Sequence, residues 1–476
     1  MLPNFKRSLL ATATAGALSL SMAAQADTRI LMLKDGVDAN TVEDIVLNVI
    51  EDEAIGQVAL RAFAETGVLV ADIDDEEAAK LKDIDGVESI TENFTVQFNV
   101  PQTLSQAIPL NTKRPEASSI PAPFTGDDDF FFDFQWGHDA VGAKEAWEMG
   151  YRGAGVRVAV LDTGIDADHP DLAPNLNTEL SFSFVPGEHW DNLPDTPSSH
   201  GAHVAGTIAA ADNSFGTIGV APEAEIVAVK VLSEFSGSGS FESIFLGMYY
   251  AIETDADIIN MSLGATLDKD WEGVKELIKA MNRLTKYAKK QETMIIAAAG
   301  NDALDADENK NLFVLPAQLK NVVAISATGP KGWAYDPLAA NLDEIPSYTN
   351  YGKKLVHFAA PGGNFDGAYE GMTGPCNVIG FTLPCFYFDM VFSTENGGWN
   401  WMPGTSMASP HAAGVAALLI GQEKEKNAGK KKRKKINPKK IEARMIKGAA
   451  DLGEEGRDPF YGKGRVNAAD SLKKKK

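Results

Sequence analysis

Residues 156–164 read VRVAVLDTG and residues 200–211 read HGAHVAGTIAAA. The first is a short apolar run that closes on an aspartate and a glycine turn, which reads as a strand. The second is a small-residue run of helical length. The alternation continues downstream. AEIVAVKVLS (224–233), ADIINMSLG (256–264), TMIIAAAGN (293–301) and NVVAISATG (321–329) read as strands. SFESIFLGMYYAIETDA (240–256) and DWEGVKELIKAMNRLTKYAKKQE (270–292) read as helices between them. Strands that are apolar on both faces are parallel strands covered by helices. The expected class is therefore α/β, with a doubly wound, mostly parallel sheet flanked by helices.

A smaller α+β unit precedes this part. Residues 27–100 contain strand-like TRILMLKDG, helical VEDIVLNVIEDEA, strand-like VLVADID, helical DEEAAKLKDIDGV and a closing strand, SITENFTVQFNV. Residues 101–128 are rich in Pro, Ser and Thr without an apolar period, and read as a linker. The remaining unit is 129–476.

The first 26 residues carry Lys6 and Arg7, an apolar stretch and the small-x-small Ala24-Gln25-Ala26. That is the pattern of a cleavable export signal. No later segment has the ~18 uninterrupted apolar residues of a membrane span. The expectation is a secreted or periplasmic protein. The net charge of −22 argues against nucleic acid as a partner. From Lys424 onward, however, 19 Lys and Arg face 7 Asp and Glu. The run Lys430–Lys435 reads as a solvated loop or, more sharply, as an attachment to an acidic surface. Cys376 and Cys385 are the two cysteines. Export predicts a local disulfide between them; the other reading is a pair of buried thiols. Two cysteines do not make a structural zinc site.

In open parallel sheets, ligands gather at the carboxyl ends of the strands. Asp162-Thr163-Gly164, Ser262-Leu263-Gly264 and Asn301 each follow such a strand. Asp162 also fits the Asp-Thr-Gly of aspartic proteases, but that chemistry needs a second carboxylate in a like motif, and the chain has none. His200 and His203, three apart, suit either one face of a metal site or a proton-transfer base beside a packed bystander. Near the C-terminus, PGTSMASPHAAGVAALL (403–419) places Ser406 where a helix begins. Backbone N–H groups at a helix start can hold a developing oxyanion, although serine also caps many helices. Taken together, Asp162 can orient an imidazole, a histidine can take a proton and Ser406 can attack a carbonyl.

VAVLDTGIDADHPDL, HGAHVAGTIAA, INMSLG, AAAGN and GTSMASPHAAG, in that order, resemble the subtilisin-like serine proteases (subtilases) over roughly residues 129–470. The resemblance implies His200 as the base and His203 as a structural histidine. It implies Asn301 and the Ser406 N–H as the oxyanion hole. Ser262, Leu263 and Gly264 become the edge along which substrate lies. With Ala298, Ala299 and Gly300 they also frame the pocket before the scissile bond, and Val314 stands at its floor, which predicts a preference for large apolar residues; the acidic loop Asp302–Glu308 is the alternative influence, toward Lys or Arg. It further implies a Ca²⁺ site with Asp171, Asn213 and the carbonyls of Ala211, Phe215 and Thr217, plus a carboxylate from Asp129 or Asp133. Residues 27–100 resemble the family's inhibitor propeptide, a folding aid and inhibitor cut away by the enzyme itself. The expected function is an exported, calcium-stabilised, monomeric serine endopeptidase acting on proteins or peptides and made as a zymogen. The competing class is a non-catalytic binding protein on the same scaffold, which has no need of all four of Asp162, His200, Asn301 and Ser406.

Overall fold

The computed structural model describes residues 28–50, 55–97, 107–112, 127–193, 196, 198–428 and 436–473. The export signal and the lysine run lie outside these residues. The chain forms two compact units, the first reaching Phe94 and the second running from Thr95 to Lys476.

In the first unit, Thr28–Leu33 is the central strand, flanked antiparallel by Val68–Asp72 and Val87–Glu92. Helices Gln57–Thr66 and Asp75–Lys82 supply Phe63 and Leu81, which are buried with Leu31, Leu33 and Leu69. Asp74 and Glu77 cap the second helix reciprocally, each carboxylate accepting the other's backbone N–H at 2.7 Å. The helix expected over 42–54 is shorter, Glu43–Leu47 among the described residues. The expected closing strand divides: Val87–Glu92 stays here, whereas Thr95–Gln97 belongs to the second unit.

The second unit is built on a seven-stranded parallel sheet. Its order is Phe358–Pro361, Val322–Thr328, Met294–Ala298, Ile258–Met261, Arg157–Asp162, Glu225–Lys230, Phe182–Ser183. The five inner strands are those read in the sequence. The two edge strands are not, because one is two residues long and the other ends in proline, too little pattern to register. Helix Thr405–Lys426 packs along the sheet and is buried from Thr405 to Ile420, so it has no polar face in that stretch. Helix His200–Ala209 is buried throughout.

Two short strands from before residue 129 take part, the second of them in the expected linker. Thr95–Gln97 pairs antiparallel with Ser238–Ser240. Ile108–Pro109 pairs with Gly398–Trp399 as the third strand beside the hairpin Val391–Glu395/Gly398–Met402. Edge pairing of a two-residue segment leaves no period in the sequence, so a Pro-containing stretch reads as a linker even where its backbone is paired. Phe131 packs against Phe134, Phe392 and Trp399 at centroid distances of 5.8, 5.2 and 4.9 Å, joining the FFFDF segment to this hairpin. Cys376 and Cys385 are bonded (S–S 1.96 Å) beside the short hairpin Pro375–Val378/Phe381–Pro384.

Candidate active site

Asp162 ends the inner strand Arg157–Asp162, with Ile258–Met261 on one side and Glu225–Lys230 on the other. The exits of those neighbours, Ser262–Gly264 and Val231–Leu232, therefore flank it at the carboxyl edge, the latter through N–H bonds to the Asp162 carbonyl. The Gly164 turn brings the first turn of helix His200–Ala209 close. A Cβ at Gly201 would lie 2.1 Å from the Gly164 carbonyl oxygen, so only glycine fits. His200 Nδ1–H donates to Asp162 Oδ1 at 2.7 Å, and both residues are buried. The Thr163 N–H donates to the same oxygen at 2.8 Å. This arrangement leaves His200 Nε2 as the acceptor nitrogen, and it has no hydrogen-bond partner.

His203 is elsewhere in function. Its Nε2–H donates to the Val391 and Asn400 carbonyls at 3.1 and 3.2 Å. Burial, with His200 nearby, pushes its pKa down to about 3. It locks the hairpin onto the helix and does not share a ligand position with His200.

Gly404, with φ +148° and ψ 158°, turns the chain into helix Thr405–Lys426 and sets Ser406 in its first turn. The Ser406 hydroxyl donates to the Ser262 carbonyl at 3.1 Å and not to His200. Asn301 follows strand Met294–Ala298. Its Oδ1 accepts from the Thr405 N–H and the Thr405 hydroxyl, both at 2.9 Å. The amide N–H₂ is then the group left to donate. Sequence reading missed Thr405; its place one residue before Ser406 was the available signal.

A pocket beside Ser406 is lined by Gly264, Ala265, Thr266, Ala298, Gly300, Asn301, Asp302, Val314 and Thr405. Gly264, Ala298, Gly300 and Val314 are among the residues expected there. Ser262 and Leu263 are not part of the lining. Ala299 turns away into a cluster with Val314, Ala324 and Leu355. Thr266, joined to Asp302 by a 2.9 Å hydrogen bond, was not foreseen. Thr266 is paired with Val314 across an antiparallel ribbon, which sequence spacing does not reveal. Next to Asp162, Lys230 is fully buried between Glu188 and Glu234 at 2.9 and 3.0 Å, an ion cluster hidden inside an apolar-looking strand.

The residues expected to hold a cation share one corner. Asp171 is buried, with Oδ2 accepting from the Thr217 N–H (2.8 Å), the Thr217 hydroxyl (3.2 Å) and the Trp399 indole (2.8 Å). Its Oδ1 accepts from Asn213 Nδ2 at 3.2 Å. Asp129 is buried too; its Oδ1 accepts from the N–H groups of Asn213 and Phe215, and its Oδ2 has no partner. Burial, reinforced by Asp127, pushes the Asp129 carboxyl up to about 7. Asp127, Asp128, Asp129 and Asp212 bring oxygens within 4.8 Å of one another. Hard oxygen donors around a buried, unpartnered carboxylate oxygen fit a hard dication. Of the two carboxylates considered, Asp129 is the one at this corner; the charge of Asp133 acts on Asp139 instead.

Comparison with known proteins identifies the family. The model of the subtilase family matches residues 153–464. The chain is 36% identical over 289 residues to the major intracellular serine protease of Bacillus subtilis (strain 168), covering 61% of this chain and 76% of that one. It is 31% identical over 417 residues to the thermostable alkaline protease of Halalkalibacterium halodurans, covering 88% and 86%. Among solved structures, the epidermin leader peptide processing serine protease of Staphylococcus aureus superposes with a TM-score of 0.67 at 21% identity, over 94% of this chain and 97% of that one, a likeness of fold.

Proposed function

Because this chain belongs to the subtilase family of serine proteases, we propose that Asp162, His200, Asn301 and Ser406 carry out its peptide hydrolysis. The observation that carries this reading is the Asp162–His200 bond of 2.7 Å beside an unpartnered Nε2 and a serine at a helix start. Ser406 Oγ adds to the substrate carbonyl carbon as its proton passes to His200 Nε2. Asp162 holds the tautomer and stabilises the imidazolium through Nδ1. The oxyanion takes hydrogen bonds from the Asn301 amide and the Ser406 N–H. The C–N bond breaks, His200 protonates the leaving amine, and water then releases the acyl group by the same route. Labelling of Ser406 by a fluorophosphonate tests the assignment. A labelled Ser406→Ala protein rejects it, and an unlabelled parent favours the binding-protein reading.

The enzyme is proposed to be exported, on the pattern of residues 1–26, and to be made as a self-processed zymogen. The small α+β unit supports the second point, as does the pairing of Thr95–Gln97, just after it, with Ser238–Ser240. Val314 in the pocket supports a preference for large apolar residues before the scissile bond. Calcium is proposed for the corner of Asp171, Asn213 and Asp129, with the carbonyls of Ala211, Phe215 and Thr217. The bound ion would supply the positive charge that Asp129 lacks, and the loop 211–217 would be ordered by it. The protein is proposed to act as a monomer. No helix among the described residues is long and apolar enough to cross a membrane.

A further inference from the structure

Helix Thr405–Lys426 contains Pro410. Proline has no N–H, so the carbonyl four residues earlier loses its helical donor. That carbonyl belongs to Ser406. Ser406 is 2% exposed, which leaves water little access to replace the donor. Instead, Ser262 Oγ donates to the Ser406 carbonyl at 2.7 Å.

The Ser262 hydroxyl has one proton, and its direction is set by its neighbours. Asn260 Nδ2 donates to Ser262 Oγ at 3.0 Å. Ser409 Oγ donates to Asn260 Oδ1 at 2.7 Å. All three side chains are fully buried. An amide nitrogen only donates, so Ser262 Oγ accepts from it and is left to give its own proton to Ser406. The hydrogen bonds run in one direction, from Ser409 through Asn260 and Ser262 to the carbonyl of Ser406, one turn back on the same helix.

We propose that Ser262 is a positioning residue for the nucleophile, acting through its side chain and separately from any contact of its backbone with substrate. This rests on the reading of Ser406 as the nucleophile. When the Ser406 hydroxyl leaves the Ser262 carbonyl for His200, the bond from Ser262 Oγ remains. It holds the Ser406 peptide unit, and with it both the attacking hydroxyl and the N–H that faces the oxyanion. The effect falls on the transition state and not on binding of the ground state.

The test is a rescue. Ser262→Ala removes the hydroxyl and leaves the backbone edge intact. Its kcat is expected to fall about tenfold, the loss of one buried hydrogen bond, with KM unchanged. Pro410→Ala restores a helical N–H to the Ser406 carbonyl. The double variant Ser262→Ala/Pro410→Ala is therefore expected to recover kcat to within about threefold of Pro410→Ala alone. Rates are divided by titrated active sites. If Ser262→Ala does not fold, the double variant is still expected to fold and turn over. Unchanged kcat with a raised KM in Ser262→Ala assigns the residue to substrate binding and overturns the proposal. So does a folded double variant no faster than Ser262→Ala. Failure of the nucleophile reading has a different signature: Ser406→Ala keeps its titratable sites.

Discussion

Thr405 grips the side chain of Asn301 twice, its N–H and its hydroxyl each 2.9 Å from Oδ1. The oxygen of that amide is thereby occupied, which leaves the nitrogen as the donor for the proposed oxyanion. Thr405 also accepts the Gly300 N–H at 3.0 Å, so the turn that carries Asn301 and the start of the Ser406 helix are one rigid piece. A donor held this way costs no reorganisation at the moment of reaction.

Asn301→Leu keeps the volume and removes the donor. Its kcat is expected to fall by ~10²–10³ with KM nearly constant, the range for loss of one oxyanion donor in a subtilisin. Thr405→Val removes one of the two donors that hold the amide oxygen and is expected to lower kcat less, about tenfold. Steady-state kinetics on titrated enzyme check both. A folded Asn301→Leu enzyme within about threefold of the parent removes Asn301 from the mechanism.

Acid stability should be set largely by buried imidazoles. Burial holds His138 and His203 at about 3 and His411 and His357 at about 4. Each lies below the unfolded value of about 6.5. The unfolded chain therefore binds more protons as pH falls. The stability these groups contribute is complete above pH ~6.5 and is lost on the way down to their folded values. Asp389 and Glu395, raised by burial to about 7, act in the opposite sense, opposing folding as pH rises from ~4 to 7. His138 has no hydrogen bond at either ring nitrogen and faces His411, Phe132 and Trp147. His138→Phe should lose less melting temperature than the parent between pH 6.5 and 4.5. An equal loss in both proteins excludes His138 as a contributor.

Calcium should raise the melting temperature by mass action, because the corner exists only in the folded chain. Asp129→Asn is expected to blunt that response. Thermal inactivation that ignores EDTA in the parent, Asp129→Asn and Asp171→Ala alike leaves no calcium site to discuss.

A peptide library should show selection for large apolar residues before the cut bond, set by Val314 and the small residues around it. The Asp302 carboxylate in the same lining is the competing influence. Dominant selection of Lys or Arg, abolished in Asp302→Asn, reverses the expectation.

Self-processing predicts that Ser406→Ala accumulates as a precursor still carrying the first unit. The active parent should begin no later than Ile108, since Ile108–Pro109 is paired into the sheet behind the His200 helix. N-terminal sequencing decides this. Ser406→Ala processed to the parent's size in a protease-deficient host refutes self-cleavage, and a parent that starts beyond Leu110 shows the strand to be dispensable.

The inner sheet and the edge at which Asp162, Asn301 and Ser262 emerge were legible in the chain itself, whereas the choice of His200 over His203 as the base, and the role of Asn301, came from the resemblance to the subtilases. A doubly apolar run of five residues has one stable use, a covered parallel strand, and the polar group that ends it must emerge at the sheet's carboxyl edge. Asp162, Asn301 and the Ser262 edge are therefore readable from local pattern, and Ser406 from its place at a helix start. What only the tertiary structure decided are contacts between segments far apart in sequence. Ile108 beside Trp399, Thr266 opposite Val314, and Asp129 against the 213–215 loop join residues 291, 48 and about 85 positions apart, and no period of 2 or 3.6 encodes such distances. The same holds for the hydroxyl of Ser262. The gap left by Pro410 is written in the sequence, but which donor fills it depends on the strand end that the folded sheet delivers 144 residues away.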